Sequence, residues 1–124
     1  KILKEFEKKK YLISLPKIKK NFKMDFFQWS SKEPLTINKN RIPEPISGKI
    51  IYPDILLVPI VAFDKNLYRI GYGGGFYDRY IKRVKKNKKI ITIGLAYSFQ
   101  KVKKIQINNN DMRLNFIITN KKIK

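Results

Sequence analysis

Between Arg69 and Asp78 the chain reads RIGYGGGFYD, placing four of its six glycines at Gly71, Gly73, Gly74 and Gly75. A glycine cluster directly before a helix leaves backbone N–H groups unpaired and open to close approach by a phosphate. The helix dipole favours the phosphate's negative charge. Arg69 can add charge-assisted hydrogen bonds to phosphate oxygens. Asp78 can hold Mg2+, which prefers one or two carboxylates together with phosphate oxygens. The loop follows neither common phosphate fingerprint. It lacks a Gly-Lys-Ser/Thr ending, and Phe76 stands where G-x-G-x-x-G needs its third glycine. The structural alternative is a plain strand-to-helix turn with Asp78 stabilising the first helical turn. Such a turn needs one or two glycines, and each further one adds chain entropy that folding must remove.

The rest of the composition narrows the chemistry. The 124 residues contain neither cysteine nor histidine. Disulfides, thiolate metal sites, cysteine nucleophiles and the commonest general base are therefore excluded. Any catalysis must use carboxylates, lysine, arginine, tyrosine, backbone groups or a hard metal on oxygen ligands. The net charge is +20, from 29 Lys+Arg against 9 Asp+Glu. A polyanionic partner such as nucleic acid is one reading of that charge. The other, which fits the scatter of lysines through every segment better, is lysine as the default surface residue. No apolar run approaches the roughly 20 residues of a membrane span, and no leader pattern is present, so a cytoplasmic location is expected; the chain is separately expected to be a monomer. The opening ILKEF has helical spacing at Lys1 itself, which predicts further chain before it.

The elements that must carry the loop follow from periodicity. Ile2, Leu3 and Phe6 read as the last turns of a helix. Tyr11–Pro16 reads as a short buried strand closed by proline, and Phe22–Trp29 as a strand at a sheet's edge. The Ser-, Pro- and Asn-rich stretch that follows reads as a long loop, with Pro43 and Pro45 barred from helix interior and central strand. Ile55–Val58 between two prolines predicts a strand covered on both faces. After the glycine loop, Tyr77, Tyr80, Ile81 and Val84 form one apolar helical stripe. Strands are expected over Lys89–Tyr97 and Arg113–Thr119. Strand–helix–strand alternation predicts a single α/β domain over 1–124, with a three-layer, Rossmann-like, mostly parallel sheet flanked by helices.

The stretch PDILLVPIVAFDKNLYRIGYGGGFYDRYI, Pro53 to Ile81, resembles the signature of the 5-formyltetrahydrofolate cyclo-ligase family. The likeness extends to FFQWS, NRIPEP, IGLAY, Gln100 and NDMRLNFIIT, and so runs in order along essentially the whole chain. The resemblance implies the C-terminal two-thirds of that fold and an ATP- and Mg2+-dependent closure of 5-formyltetrahydrofolate to 5,10-methenyltetrahydrofolate. In that reaction the formyl oxygen takes the γ-phosphoryl group, N10 attacks the activated carbon, and phosphate leaves with ADP already formed. Such chemistry needs positioning and charge neutralisation more than a strong base. By matching position, Arg69 and the backbone of Gly71, Gly73, Gly74 and Gly75 would cradle ATP phosphates. Asp78 would hold Mg2+, with Asp111 approaching the same metal or nucleotide. Tyr72, Phe76 and Tyr77 would contact the folate, as would Met24 and Trp29. Duller roles stand beside these: Tyr77 as core, Asp111 as a turn residue, Met24 and Trp29 as packing. Two other functions also stand, an inactive or nucleotide-binding fragment of such an enzyme, and a basic nucleic-acid module.

Overall fold

The computed structural model describes residues 2–20, 23–39, 41–46, 48–71 and 73–121. They form two compact units, Lys1–Pro53 and Asp54–Lys124.

The first unit opens with α1 (Ile2–Lys8). Its end is closed by Lys10 at φ 65 and by the Tyr11 N–H donating to Phe6 O at 3.1 Å, a left-handed helix stop. The Tyr11 ring meets Phe6 edge-on, with centroids 5.5 Å apart. Tyr11 therefore belongs to the helix stop, and β1 begins two residues later, at Ile13, running through Pro16 to Ile18. It pairs antiparallel with β2 (Met24–Trp29), Pro16 opposite Phe26.

Proline is tolerated there because of ladder parity. The Phe26 carbonyl accepts from Ile51 N–H, and the Gln28 N–H donates to Lys49 O, both on the side of β2 away from β1. The 16–26 pair consequently exchanges no bonds, so no N–H is missed. The same contacts correct the edge-strand expectation for Phe22–Trp29, since β2 lies between β1 and residues 49–51. Phe22 itself is outside the described residues.

The expected long loop contains a small hairpin, β3 (Leu35–Ile37) against β4 (Pro43–Pro45). The Asn38 N–H donates to Ile42 O. By the two-residue period the next bonded pair is Thr36–Glu44, which leaves both prolines on non-bonded positions. Buried Glu44 accepts from Asn38 Nδ2 at 3.0 Å and from the Ile18 N–H at 3.4 Å.

The second unit is mixed α/β. A three-stranded parallel sheet has the order β5 (Ile55–Val58), β8 (Ile91–Ala96), β9 (Phe116–Thr119). Between β5 and β8 come the hairpin β6 (Ala62–Phe63) and β7 (Arg69–Ile70), then α2 (Phe76–Val84). In α2 the expected stripe is buried at Tyr80, Ile81 and Val84. The core combines that stripe with Leu56, Val58 and Ile117, side chains of the sheet's inward face.

The expectation for β5 is also corrected. β5 alternates instead of being covered on both faces: Leu56 and Val58 are buried while Ile55 and Leu57 are exposed. Register places Ile91 beside Ile55, and Phe116 beside Ile93, on that outward face. Successive strand side chains point to opposite faces, and among the described residues only the inward face meets other elements closely enough to lose its water. Among the described residues, no helix is long and apolar enough to cross a membrane.

Candidate functional site

Arg69 is aimed by the hairpin that carries it. At the hairpin's turn, Asp64 is 1% exposed. Its Oδ1 accepts from the N–H groups of Asn66 and Tyr68 at 2.9 and 3.2 Å, and its Oδ2 from Ile105 N–H at 3.0 Å. Four backbone bonds brace the same turn: Asp64 N–H to Tyr68 O, Leu67 N–H to Asp64 O, Val102 N–H to Phe63 O, and Leu114 N–H to Leu67 O. From this frame the Arg69 side chain, 4% exposed, donates from Nη1 to the Pro59 carbonyl at 3.2 Å. Its Nη2 lies 3.7 Å from Asp78 Oδ1. Its Nε is buried without a hydrogen-bond partner, a donor whose lost hydration nothing replaces. The guanidinium passes so close to Gly71 that a Cβ there would collide with Nη1.

Gly73 and Gly75 take φ 101 and 66, the left-handed region where a side chain is strained. Gly75 is the N-cap of α2 and contributes no side chain to it. The first intrahelical bond is Arg79 N–H to Gly75 O, at 3.1 Å. Gly75 thus gives the first-turn N–H groups no capping side chain, and these groups form the positive end of the helix dipole. Among the described residues, its chain neighbours aside, no atom lies within 4 Å of where a Cβ on Gly73 would stand.

Asp78 sits in that first turn, but its Oδ1 turns to the segment before β9 and accepts from Met112 N–H at 3.3 Å. Burial pushes its pKa above the ordinary value, against the pull of Arg69, the Met112 N–H and Arg79. The nearby Asp111 carboxylate pushes in the same direction as burial. Burial thus disfavours the charged form of this carboxylate, and a bound cation would offset that. Burial likewise lifts the Tyr77 hydroxyl to about 12, opposed by Arg69, whose guanidinium carbon stands 5.8 Å from the Tyr77 ring centre. Tyr77 keeps its proton at any physiological pH. Arg79 lies over the Phe76 ring at 5.0 Å.

Arg69, the glycine loop, Phe76, Tyr77, Asp78 and Asp111 are therefore brought together in the second unit. Asp111 also acts as a turn residue, its Oδ2 accepting from Asn108 N–H at 3.0 Å. Met24 and Trp29 lie on β2 in the first unit, Met24 buried and Trp29 with a buried, unpartnered Nε1. Tyr72 lies outside the described residues. Among the described residues no three His, Cys, Asp or Glu cluster as a metal cage. The Asp78 and Asp111 pair is the donor set suited to Mg2+ shared with phosphate oxygens, and Arg69 and the loop N–H groups suit the phosphates.

Sequence reasoning missed three contributors. The sequence marks Asp64–Asn66 as a turn without marking Asp64 as its brace, although Phe-Asp before a short polar turn is the pattern of a side chain capping its own backbone. The Pro59 carbonyl and the Met112 N–H carry no side-chain signal at all.

The profile of the 5-formyltetrahydrofolate cyclo-ligase family matches residues 1–120. The chain is 38% identical to the 5-formyltetrahydrofolate cyclo-ligase of Haemophilus influenzae over 94 residues, covering 72% of this chain and 50% of that protein. To the Mycoplasma genitalium cyclo-ligase it is 36% identical over 107 residues, covering 85% and 53%. The solved structure of Aquifex aeolicus 5,10-methenyltetrahydrofolate synthetase superposes with a TM-score of 0.81 at 32% identity, covering 99% of this chain and 62% of that one. The chain therefore spans about half the length of these two curated relatives.

Proposed function

Because the chain belongs to the 5-formyltetrahydrofolate cyclo-ligase family, we propose that it carries the phosphate-activating part of an enzyme closing 5-formyltetrahydrofolate to 5,10-methenyltetrahydrofolate. ATP and Mg2+ are the implied co-substrate and metal, and ADP and phosphate the implied co-products. The observation that carries this reading is the convergence of Arg69, the glycine loop and Asp78 at the N-terminus of α2.

When bound, ATP would supply the phosphoryl group that makes the formyl oxygen able to leave, with Mg2+ neutralising phosphate charge. The residues would do the following. The N–H groups from Gly73 into the first turn of α2, at the positive end of the helix dipole, receive phosphate oxygens. The Arg69 guanidinium, already desolvated, offers its unpartnered Nε in the same neighbourhood and needs no further dehydration to act on a developing negative charge. Asp78, with Asp111 close by, supplies carboxylate oxygens to the metal. Tyr77 keeps a neutral hydroxyl, and with Phe76 gives the loop an aromatic wall suited to a flat folate ring. Tyr72, Met24 and Trp29 are assigned to the folate on the family resemblance.

The test is to mix the protein with 5-formyltetrahydrofolate, ATP and Mg2+ and follow the near-ultraviolet absorbance gained by the methenyl product. A gain dependent on all three confirms the activity. If nucleotide binds but no product forms, the chain is a nucleotide-binding fragment. Binding to neither ligand overturns the reading.

A further inference from the structure

At the carboxyl end of β8, the middle strand of the parallel sheet, Tyr97 and Phe99 stack on each other in open solvent. Their ring centres are 5.4 Å apart and their planes 9° from parallel. Tyr97 is 61% exposed and Phe99 81%. Aromatic side chains normally hide this much apolar surface, and an unsupported pair would disperse among rotamers.

This pair is supported. The Tyr97 N–H donates to Gln100 Oε1 at 2.7 Å, and the Ser98 N–H to Asn120 Oδ1 at 2.8 Å. The Gln100 N–H closes the short 3-10 turn onto Tyr97 O. Gln100 Nε2 then donates to both Ile60 O and Val61 O at 3.1 Å, adjoining the Pro59 carbonyl that holds Arg69. On the far side, Val102 N–H binds Phe63 O at 2.7 Å. The backbone that carries the exposed rings is thus fixed at both ends to the frame that positions Arg69.

We propose that the outer face of Phe99, backed by Tyr97, is a stacking platform for a flat nitrogen heteroaromatic ring carrying an anionic tail. Three observations specify that ligand. The rings lie outside the carboxyl ends of parallel strands, where open α/β sheets take their ligands. An aromatic face accepts any planar π system, and nitrogen heterocycles stack on it well. Exposed Lys101, Lys103 and Lys104 follow immediately, matching a negatively charged tail. The proposal rests on the nucleotide-and-folate reading above, which offers two rings of this kind, the purine of a nucleoside phosphate and the pterin of a folate.

Titration calorimetry of the full chain with ADP, and separately with 5-formyltetrahydrofolate, tests it without requiring turnover. Phe99→Ala should weaken binding of one of the two ligands by about 5- to 100-fold, while Phe99→Trp holds or tightens it. Circular dichroism should be unchanged in both variants, since the ring is exposed. Loss of ADP affinity assigns the purine, and loss of folate affinity the pterin. Equal affinities in wild type and Phe99→Ala overturn the platform and leave the proposed function standing. A wild type that binds neither ligand overturns both. Tighter binding of a single-stranded oligouridylate than of either small ligand, lost in Phe99→Ala, overturns the small-molecule assignment in favour of nucleic acid.

Discussion

The Arg69 guanidinium stands 3.7 Å from the Asp78 carboxylate, yet burial outweighs their attraction and holds the Asp78 pKa above its ordinary value. The folded chain therefore binds this proton more tightly than the unfolded chain. The stability that this group contributes is complete below the unfolded pKa and is lost as pH rises through the raised value. Asp78→Asn, which never ionises, should escape that loss. Thermal unfolding of the two proteins from acid to neutral pH should show the variant gaining on the wild type as pH rises. A wild type that outlasts the variant at neutral pH would mean the ion pair dominates.

The same substitution should abolish function. With the carboxylate gone, turnover of 5-formyltetrahydrofolate with ATP and Mg2+ should fall by about 100-fold or more. Nucleotide binding without metal should persist. Undiminished turnover would remove Asp78 from the metal site.

Arg69→Ala should destabilise the fold as well as the reaction. It leaves the Asp78 carboxylate half-buried without its cation and the Pro59 carbonyl without its donor. A loss of about 2–3 kcal/mol in urea unfolding is expected. Arg69→Lys should recover part of it, because one ammonium cannot reach both partners in the fork geometry of a guanidinium.

Gly75→Ala should cost about 1 kcal/mol, and Gly75→Asn less, because asparagine tolerates the left-handed conformation at φ 66. The Cβ itself meets only the mobile end of Arg79. Equal stability of the two variants would show that backbone strain is not what selects glycine there.

Asp64→Asn should cost about 2 kcal/mol, since an amide has one acceptor oxygen where the carboxylate serves N–H groups from both. Differential scanning calorimetry gives the figure directly. An unchanged melting temperature would reduce Asp64 to an ordinary turn residue.

What the sequence made legible was set by periodicity and residue type. The stripe of α2 and the apolar run of β8 repeat often enough to declare their elements, and the glycines, Arg69 and Asp78 mark the candidate site by identity alone. The hairpins β3–β4 and β6–β7 have ladders of three and two residues, too short for any period. Pro16 looked like a strand's end because tolerance depends on which neighbour each N–H faces, which only the pairing of Phe26 with Ile51 decides. β5 looked doubly covered because Ile55 and Leu57 are as apolar as Leu56 and Val58, and composition cannot distinguish a buried side chain from an exposed one. Within the site, the partners that hold Arg69 and Asp78 are a carbonyl and an amide, groups every residue possesses.

The bond between Asp78 and the Met112 N–H has a consequence for biosynthesis. The two residues are 34 positions apart, and a ribosome adding about 5–20 residues per second separates their appearance by about 2–7 seconds. During that interval the nascent chain carries its glycine loop and Asp78 but not the amide that the carboxylate will accept from. The candidate site at this loop is therefore completed late in translation.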